Sequence, residues 1–453
     1  MSSNPTANMW NPLSRNFLLS GELTSQQPKL YSKPALASFD LCKYLEGYKG
    51  MTKIRRAMYV GEHCTALAQD SYLIALDELE STTYNAKLHT EVSKRLEQFG
   101  VALPDRGEWK KDVEQRSQRE NQELKKEIAR TKTGNLISEC QKAHMDLANL
   151  CAKMGSTEEA FRALQSAREF CGDANSHGEL QVSAVRISQA TFRWMQINTF
   201  AQRAISAMTT RHQQSDGTDV WIEGSVIQIQ ANFGDAKWQD ATKELNKLDI
   251  GEVAASEVFE VGNTTAKDFA IYATLSALMA LGRKEVREKY INNFGYSKFF
   301  EAMPECLELL KRFYDSNYSD MLVLLDTVLS FCVLDPVIGP HVSQIKGRVI
   351  DNIVVIYATP YMAVSLERMA KDLHIQSADT LESIVVKLIT SKRISARIDV
   401  VSGYLYKHKV DPRDATLKSI EKMYKSFDSQ VDLVKAHIMF LEEESLRSTG
   451  SKA

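Results

Sequence analysis

The most regular hydrophobic pattern lies near the end of the chain. Apolar side chains at Leu417, Ile420, Tyr424, Phe427, Val431, Val434, Ile438 and Leu441 recur at alternating intervals of three and four. That spacing predicts one long helix over 413–447 whose stripe packs against other helices, within a C-terminal segment 411–453. The stripe would serve a helix folded back on its own domain or one lying in a bundle of several chains. Ending the chain before Asp414 separates the two, because only a shared bundle leaves a folded monomer without partners.

Just upstream, helical faces give way to alternation. Val349, Ile350, Ile353, Val354 and Tyr357 share a face that ends at Thr359-Pro360, since the residue before proline is pushed out of the helical region. Val364, Leu366, Met369, Ala370 and Leu373 predict a short second helix. Ser377 can cap a third, in which Leu381, Ile384, Val385 and Leu388 follow i, i+3, i+4, i+7. Lys392 and Arg393 sit at its C-terminal end, where the helix dipole favours cations. Then Ile394, Ala396 and Ile398 alternate with Ser395, Arg397 and Asp399, and Gly403 turns the chain into Tyr404-Leu405-Tyr406-Lys407. Three short helices followed by a β-hairpin make a winged helix, here 336–410. A two-stranded sheet has open edges, and an open edge can pair with a neighbour's strand. Ile394, Ala396, Arg397, Ile398, Tyr404 and Tyr406 are the residues this hairpin would offer.

Residues 136–335 read as paired helices. Leu147 to Met154, a turn at Gly155, and Glu159 to Ala167 place small Ala148, Ala160 and Ala167 where two helices approach, with Leu147 and Leu164 filling the gap. That distribution resembles a tetratricopeptide unit. Further turns are expected at Asn198, Gly234 and Gly282, at intervals of 36 to 48 residues. The reading is a right-handed stack of helical hairpins; an irregular helical domain is the alternative. Toward Gly339 the most apolar stretch, from Met321, is broken by Asp326, Asp335 and Pro336, so it reads as buried helix and not as a membrane span.

In 35–135, Asp40 can cap Leu41–Leu45, and a second helix runs through Ile54, Met58 and Tyr59 past His63. Residues 104–132 carry both charge signs, with Asp112 four before Arg116 and apolar pairs Trp109/Val113 and Leu124/Ile128. They read as a solvated helix with a narrow packed stripe. Residues 1–34 are rich in Ser, Asn, Pro and Gln and read as a disordered lead.

Composition narrows the function classes. Lysine and arginine total 56 against 58 acidic residues, for a net charge of −2, whereas a free-standing nucleic-acid binder carries a basic excess. Between Ser377 and Arg397 the acids Asp379 and Glu382 lead, so backbone phosphates would meet them first, and protein binding is favoured over DNA reading. Ten prolines and 21 glycines are few for 453 residues, as suits long helices. The seven cysteines (Cys42, Cys64, Cys140, Cys151, Cys171, Cys306, Cys332) are scattered, with no Cys-x-x-Cys pair, which fits a reducing compartment. Phe17-Leu18-Leu19 is too short for a signal peptide's apolar core, and a location in cytoplasm and nucleus is expected. Phosphate-cradling, dinucleotide-binding and nucleophile-elbow motifs are missing. The nine histidines, among them His144, His374 and His437, form no zinc pattern. No catalytic residue, no cofactor and no metal are therefore assigned.

Helical repeats, a winged helix and a long terminal helix, in that order, resemble the PCI family, named after the proteasome lid, the COP-nine signalosome and the translation initiation factor three complex. Asp40-Leu41-Cys42-Lys43-Tyr44-Leu45-Glu46-Gly47-Tyr48-Lys49-Gly50, continuing through Thr52 to Arg56 and Glu62-His63-Cys64, looks like the start of a signalosome member of that family. Phe299-Phe300, Phe313 to Tyr318, Leu325-Asp326, Pro340-His341-Val342 and Thr359-Pro360-Tyr361 are similar to it, as is Leu388 to Asp399 at the last helix and first wing strand. The resemblance covers about residues 36–445. It implies a non-catalytic scaffold whose winged helix joins neighbouring PCI subunits, by analogy subunits two and three, and whose last helix enters a common bundle. The superhelix is expected to face components of cullin-RING ligases. The complex removes a ubiquitin-like modifier from cullins with zinc held by a different subunit. The resemblance implies no nucleic acid and no membrane as partners. The paralogous proteasome lid subunit and a winged-helix nucleic-acid binder are the competing readings.

Overall fold

In the computed structural model the first helix begins at the expected cap: the Asp40 carboxylate accepts the Lys43 amide (3.2 Å) ahead of α1, Leu41–Leu45. The structure describes residues 40–450 except 101–106, 173, 190–191, 213–217, 374, 376–377 and 408–411. The expected lead, 1–34, lies outside them, as do Ser377 and His374. Among the described residues the chain is mainly α, in two units that divide between Ile356 and Tyr357.

The first unit opens with α2 (Gly50–His63), α3 (Ala68–Thr82), α4 (Ala86–Gln98) and α5 (Gly107–Thr133). Ile54, Ala57, Leu76, Leu79, Val92 and Leu96 form its first core. On α5, Val113 is buried, and Trp109, Leu124 and Ile128 are half-buried beside exposed charges, with Asp112 paired to Arg116. This is the narrow stripe that the four-residue spacing describes.

Helices α6 (Ile137–Lys153) and α7 (Thr157–Arg168) are the hairpin read from the small residues: Ala148, Ala160, Ala163, Leu164 and Ala167 are all buried. Gly155 turns the chain at φ +79°, and a Cβ there would stand 2.2 Å from the Asn85 amide nitrogen. Then follow α8 (Ala174–Gln189), α9 (Trp194–His212), α10 (Thr218–Gly234) and α11 (Trp238–Leu245), each packed against the next.

Of the three expected turns, the one at Gly282 does separate two helices, and the other two are displaced. Asn198 lies inside α9, where its amide donates to the Asn232 side-chain carbonyl on α10 (2.7 Å). The left-handed residue before that helix is Phe192, at φ +52°. Gly234 is the last residue of α10; the left-handed position beyond it is Ala236, at φ +57°. Glycine is required at 234 by packing, because a Cβ would lie 2.4 Å from the Trp194 ring. Gly282 has φ −85° and extended backbone, and its amide donates to Glu285 in the first turn of the next helix (3.2 Å). Glycine and asparagine mark both chain reversals and close helix contacts, and sequence spacing does not separate the two.

The first unit continues through α12 (Ile250–Ala255) to α13 (Ala266–Ala280), which is buried almost all round from Asp268 to Met279, as its mostly apolar composition requires. Phe269 packs against Phe299 (4.7 Å) and Tyr272 against Phe233 (4.9 Å). Beyond it lie α14 (Arg283–Val286), α15 (Ser297–Ala302), α16 (Pro304–Tyr314), α17 (Tyr318–Cys332) and α18 (Val342–Ala358). The apolar stretch from Met321 is helical only to Cys332; Val333 to Gly339 is buried turn, because Asp335 and Pro336 stop the helix.

After the last residues of α18, the second unit has a strand where the apolar pattern predicts helix. Ala363–Ser365 is β1, and Val364 belongs to it; the helix α19 runs Leu366–Asp372 from an N-cap at Ser365. The sheet therefore has three strands, in the order β1, β3 (Tyr404–Lys407), β2 (Ala396–Asp399), all antiparallel. A three-residue strand has too few positions to reveal alternation. Helix α20, Ala378–Thr390, buries Leu381, Val385 and Leu388. Leu388 is 1% exposed, so Leu388→Ala is expected to cost about 3 kcal/mol, read from the urea midpoint. An unchanged midpoint would show that this helix does not carry the core of the unit. The last helix, α21, spans Pro412–Gly450.

Candidate functional site

The sheet of the second unit has an inner and an outer face. Val364, Leu405 and Ile398 stand in register, with Leu405 buried at 3% and Ile398 half-buried. Ala396 shares that face and, like Ile394 just before the strand, is half-buried. Outward on β3 point Tyr404 and Tyr406, both exposed, with their rings stacked at 6.1 Å. Arg397 lies opposite Tyr406 and is exposed. The turn between β2 and β3 carries Val400 and the almost fully exposed Val401.

The third strand changes what the hairpin can offer. Both sides of β3 are taken, by β1 and β2, so Tyr404 and Tyr406 present side chains and not a free backbone edge. The free edges belong to the two outer strands, β1 and β2, and of these β2 carries Ala396, Arg397 and Ile398. A strand that adds there would meet the β2 backbone, while the tyrosine pair receives whatever packs on the outer face.

On α21 the eight apolar positions are Leu417, Ile420, Tyr424, Phe427, Val431, Val434, Ile438 and Leu441. All are exposed except the half-buried Val431. Met423, Leu433, Met439 and Phe440 are exposed as well, and Leu433 and Phe440 lie seven apart on the opposite side of the helix. A solvated helix is polar on its outer face; this one is apolar on two.

Sequence reasoning missed a buried polar cluster in the first unit. Arg56 on α2 is wholly buried and pairs with Asp335; its Nη2 lies 3.7 Å from Asp268 on α13. The Tyr44 hydroxyl accepts from Arg56 (2.8 Å), and the Tyr48 hydroxyl donates to Asp268 (2.7 Å). The Arg56 guanidinium lies 4.1 Å from the Tyr48 ring centre. Asp335 accepts the Val337 amide (2.7 Å), and Asp268 closes a capping box with Thr265. Burial pushes the Asp268 carboxyl above its ordinary range, and Arg56 opposes that push. Partners separated by 212 and 279 residues leave no local signal.

Among the described residues, no group of three or more His, Cys, Asp or Glu side chains could hold a metal ion. Among the described residues no disulfide joins two cysteines, and no described helix is long and apolar enough to cross a membrane.

Two family models match separate stretches: the PCI domain over residues 328–409, and 26S proteasome subunit RPN7 over 107–289. The chain is 26% identical over 431 residues to COP9 signalosome complex subunit 1 of Arabidopsis thaliana, covering 94% of each chain. It is 22% identical over 441 residues to subunit 1b of Drosophila melanogaster, covering 86% of this chain and 83% of that one. A shorter match, 23% over 177 residues and 35% of this chain, is to 26S proteasome non-ATPase regulatory subunit 6 of Caenorhabditis elegans. The chain thus carries a PCI domain over 328–409 and is similar along almost its full length to proteins named COP9 signalosome complex subunit 1.

Proposed function

We propose that this protein is a scaffold subunit of a COP9 signalosome, the complex that removes a ubiquitin-like modifier from cullins and so regulates cullin-RING ligases. It assembles through the β2 edge, the outer tyrosine face and α21, and contributes no catalytic group. The observation that carries this reading is the apolar stripe of α21, exposed along four heptads in a chain whose relatives are named as subunits of that complex. Apolar surface of that length and regularity is made to be covered. The neighbours at the sheet are other PCI subunits, by analogy subunits two and three, and the helical repeats face ligase components in cytoplasm and nucleus.

The test is a pull-down of the tagged chain at native expression level, assayed for cullin demodification. Active complex is expected to come down with the wild-type chain, and the purified chain alone is expected to be inactive. Tyr404→Asp/Tyr406→Asp alters only exposed side chains and should lower recovery of the adjoining PCI subunits at least about tenfold, the hot-spot scale for aromatic anchors. Full recovery by that variant removes the tyrosine face from the interface.

The RPN7 match and the Caenorhabditis relative support one other reading, a subunit of the proteasome lid. Mass spectrometry of the co-purified proteins separates the two. A nucleic-acid role would show as duplex affinity falling steeply with salt.

A further inference from the structure

In the first unit, a cleft of about 480 Å³ lies among α2, the ends of α3 and α4, the α6–α7 turn and α8. Three charged side chains line it, Arg55, Lys153 and Arg186, and all are cations. Arg186 is already neutralised: it donates to both carboxylate oxygens of Glu223, at 2.7 and 2.6 Å. Arg55 and Lys153 are not. Lys153 makes no side-chain ion pair among the described residues. Arg55 is half-buried, and its Nε is shut away from solvent without a hydrogen-bond partner. Glu62 and Glu91, the acids whose charge reaches Arg55, are both bound by Arg95. Burial lowers the Arg55 pKa, the direction of a cation that has lost water and gained no sufficient counter-charge.

A buried donor on a charged group is costly to leave unmade, and folded proteins rarely do so. The α7 N-terminus opens onto the same cleft. Thr157 lines it, and the N-cap Ser156 makes no side-chain capping bond, so its side chain leaves the first amides of a twelve-residue helix unclaimed. Glu158 and Glu159, in that first turn, are exposed and outside the lining. Asn149 adds an exposed carboxamide donor at the rim.

We propose that this cleft binds a phosphoryl group, held by Arg55 and Lys153 with the amide end of α7. Charge selects the class. A phosphate monoester carries about −1.5 to −2 at neutral pH, which matches two unpaired cations, whereas a carboxylate would leave one uncompensated. Met51 and Ile187, also in the lining, would receive the uncharged remainder of the ligand. That ligand is either a small phosphorylated molecule or a phosphorylated serine or threonine of a partner, and both present the same group.

The full chain is titrated by calorimetry with pyrophosphate and, separately, with a short phosphoserine peptide and its unphosphorylated form. Saturable binding at one site is expected, weakened at least about tenfold by Arg55→Gln and by Lys153→Gln, the scale of one lost charged hydrogen bond. Both variants should keep the wild-type melting temperature, because neither removes an existing partner. Binding of pyrophosphate but not of the phosphopeptide assigns the small-molecule source, and the reverse assigns a modified protein. Failure of both probes to saturate, or equal affinity in wild type and variants, overturns the proposal.

Discussion

Arg56→Met is expected to lower stability by about 3–5 kcal/mol, the cost of removing one partner from a buried charge cluster. Methionine fills much of the arginine's volume, so a cavity is not the cause. What remains is two carboxylates, Asp268 and Asp335, in a site where Arg56 is wholly buried and each acid is under a tenth exposed. The Asp335 carboxylate keeps its turn amide and Asp268 keeps Tyr48, but neither keeps a counter-charge.

The pH dependence gives this loss a signature. Burial already raises the Asp268 pKa and Arg56 holds it down; without Arg56 the rise loses its main opposition, and only the Tyr48 and Thr265 hydrogen bonds still act against it. A carboxyl whose folded pKa exceeds its unfolded value contributes stability at low pH that is lost as pH rises through the folded pKa. The deficit of Arg56→Met should therefore shrink between pH 7 and pH 5, measured from urea midpoints. Adding Asp268→Asn and Asp335→Asn should recover most of it at neutral pH. A deficit that ignores pH and survives the triple substitution would mean that packing, and not charge, is what Arg56 supplies.

A chain ended after Arg413 should remain folded and lose its partners. Seven of the eight stripe residues on α21 are exposed, so their removal takes little from the fold, and the melting temperature should hold. Each apolar side chain is worth about 1.5–3 kcal/mol when fully buried, and the stripe offers eight to a common bundle. The far-side pair Leu433 and Phe440 indicates cover from more than one direction. Co-purification of the remaining subunits should fall to background while circular dichroism of the shortened chain stays cooperative. Retained assembly, or a fall in melting temperature, would place the stripe within this chain's own structure.

The proposed phosphoryl cleft and the assembly surfaces use different residues. Arg55→Gln should leave co-purification unchanged, and Tyr404→Asp/Tyr406→Asp should leave phosphate affinity unchanged. The two can fail separately.

What could be read without coordinates was what repeats over short spans. The four-heptad stripe announced α21, the four-residue steps of 104–132 announced α5, and alternation from Ile394 announced β2, because each periodicity is the geometry of one element against one face. Small residues around Gly155 told of the α6–α7 hairpin for a similar reason: closely packed helices leave no room for larger ones. Glycine at 234 misled, since the residue that crowds it, Trp194, lies on a different helix forty positions earlier. Strand β1 escaped because three residues make no period, and its pairing with β3 is decided forty residues away. The charge cluster about Arg56 and the cleft at Arg55 were beyond any window. They join α2 to α13 and the 333–341 turn, and α2 to α6 and α8, and only the packed chain brings such groups within reach of one another. Periodicity records how one segment meets an average surface; which particular charges and cavities arise depends on which surfaces meet, and that is settled by tertiary packing alone.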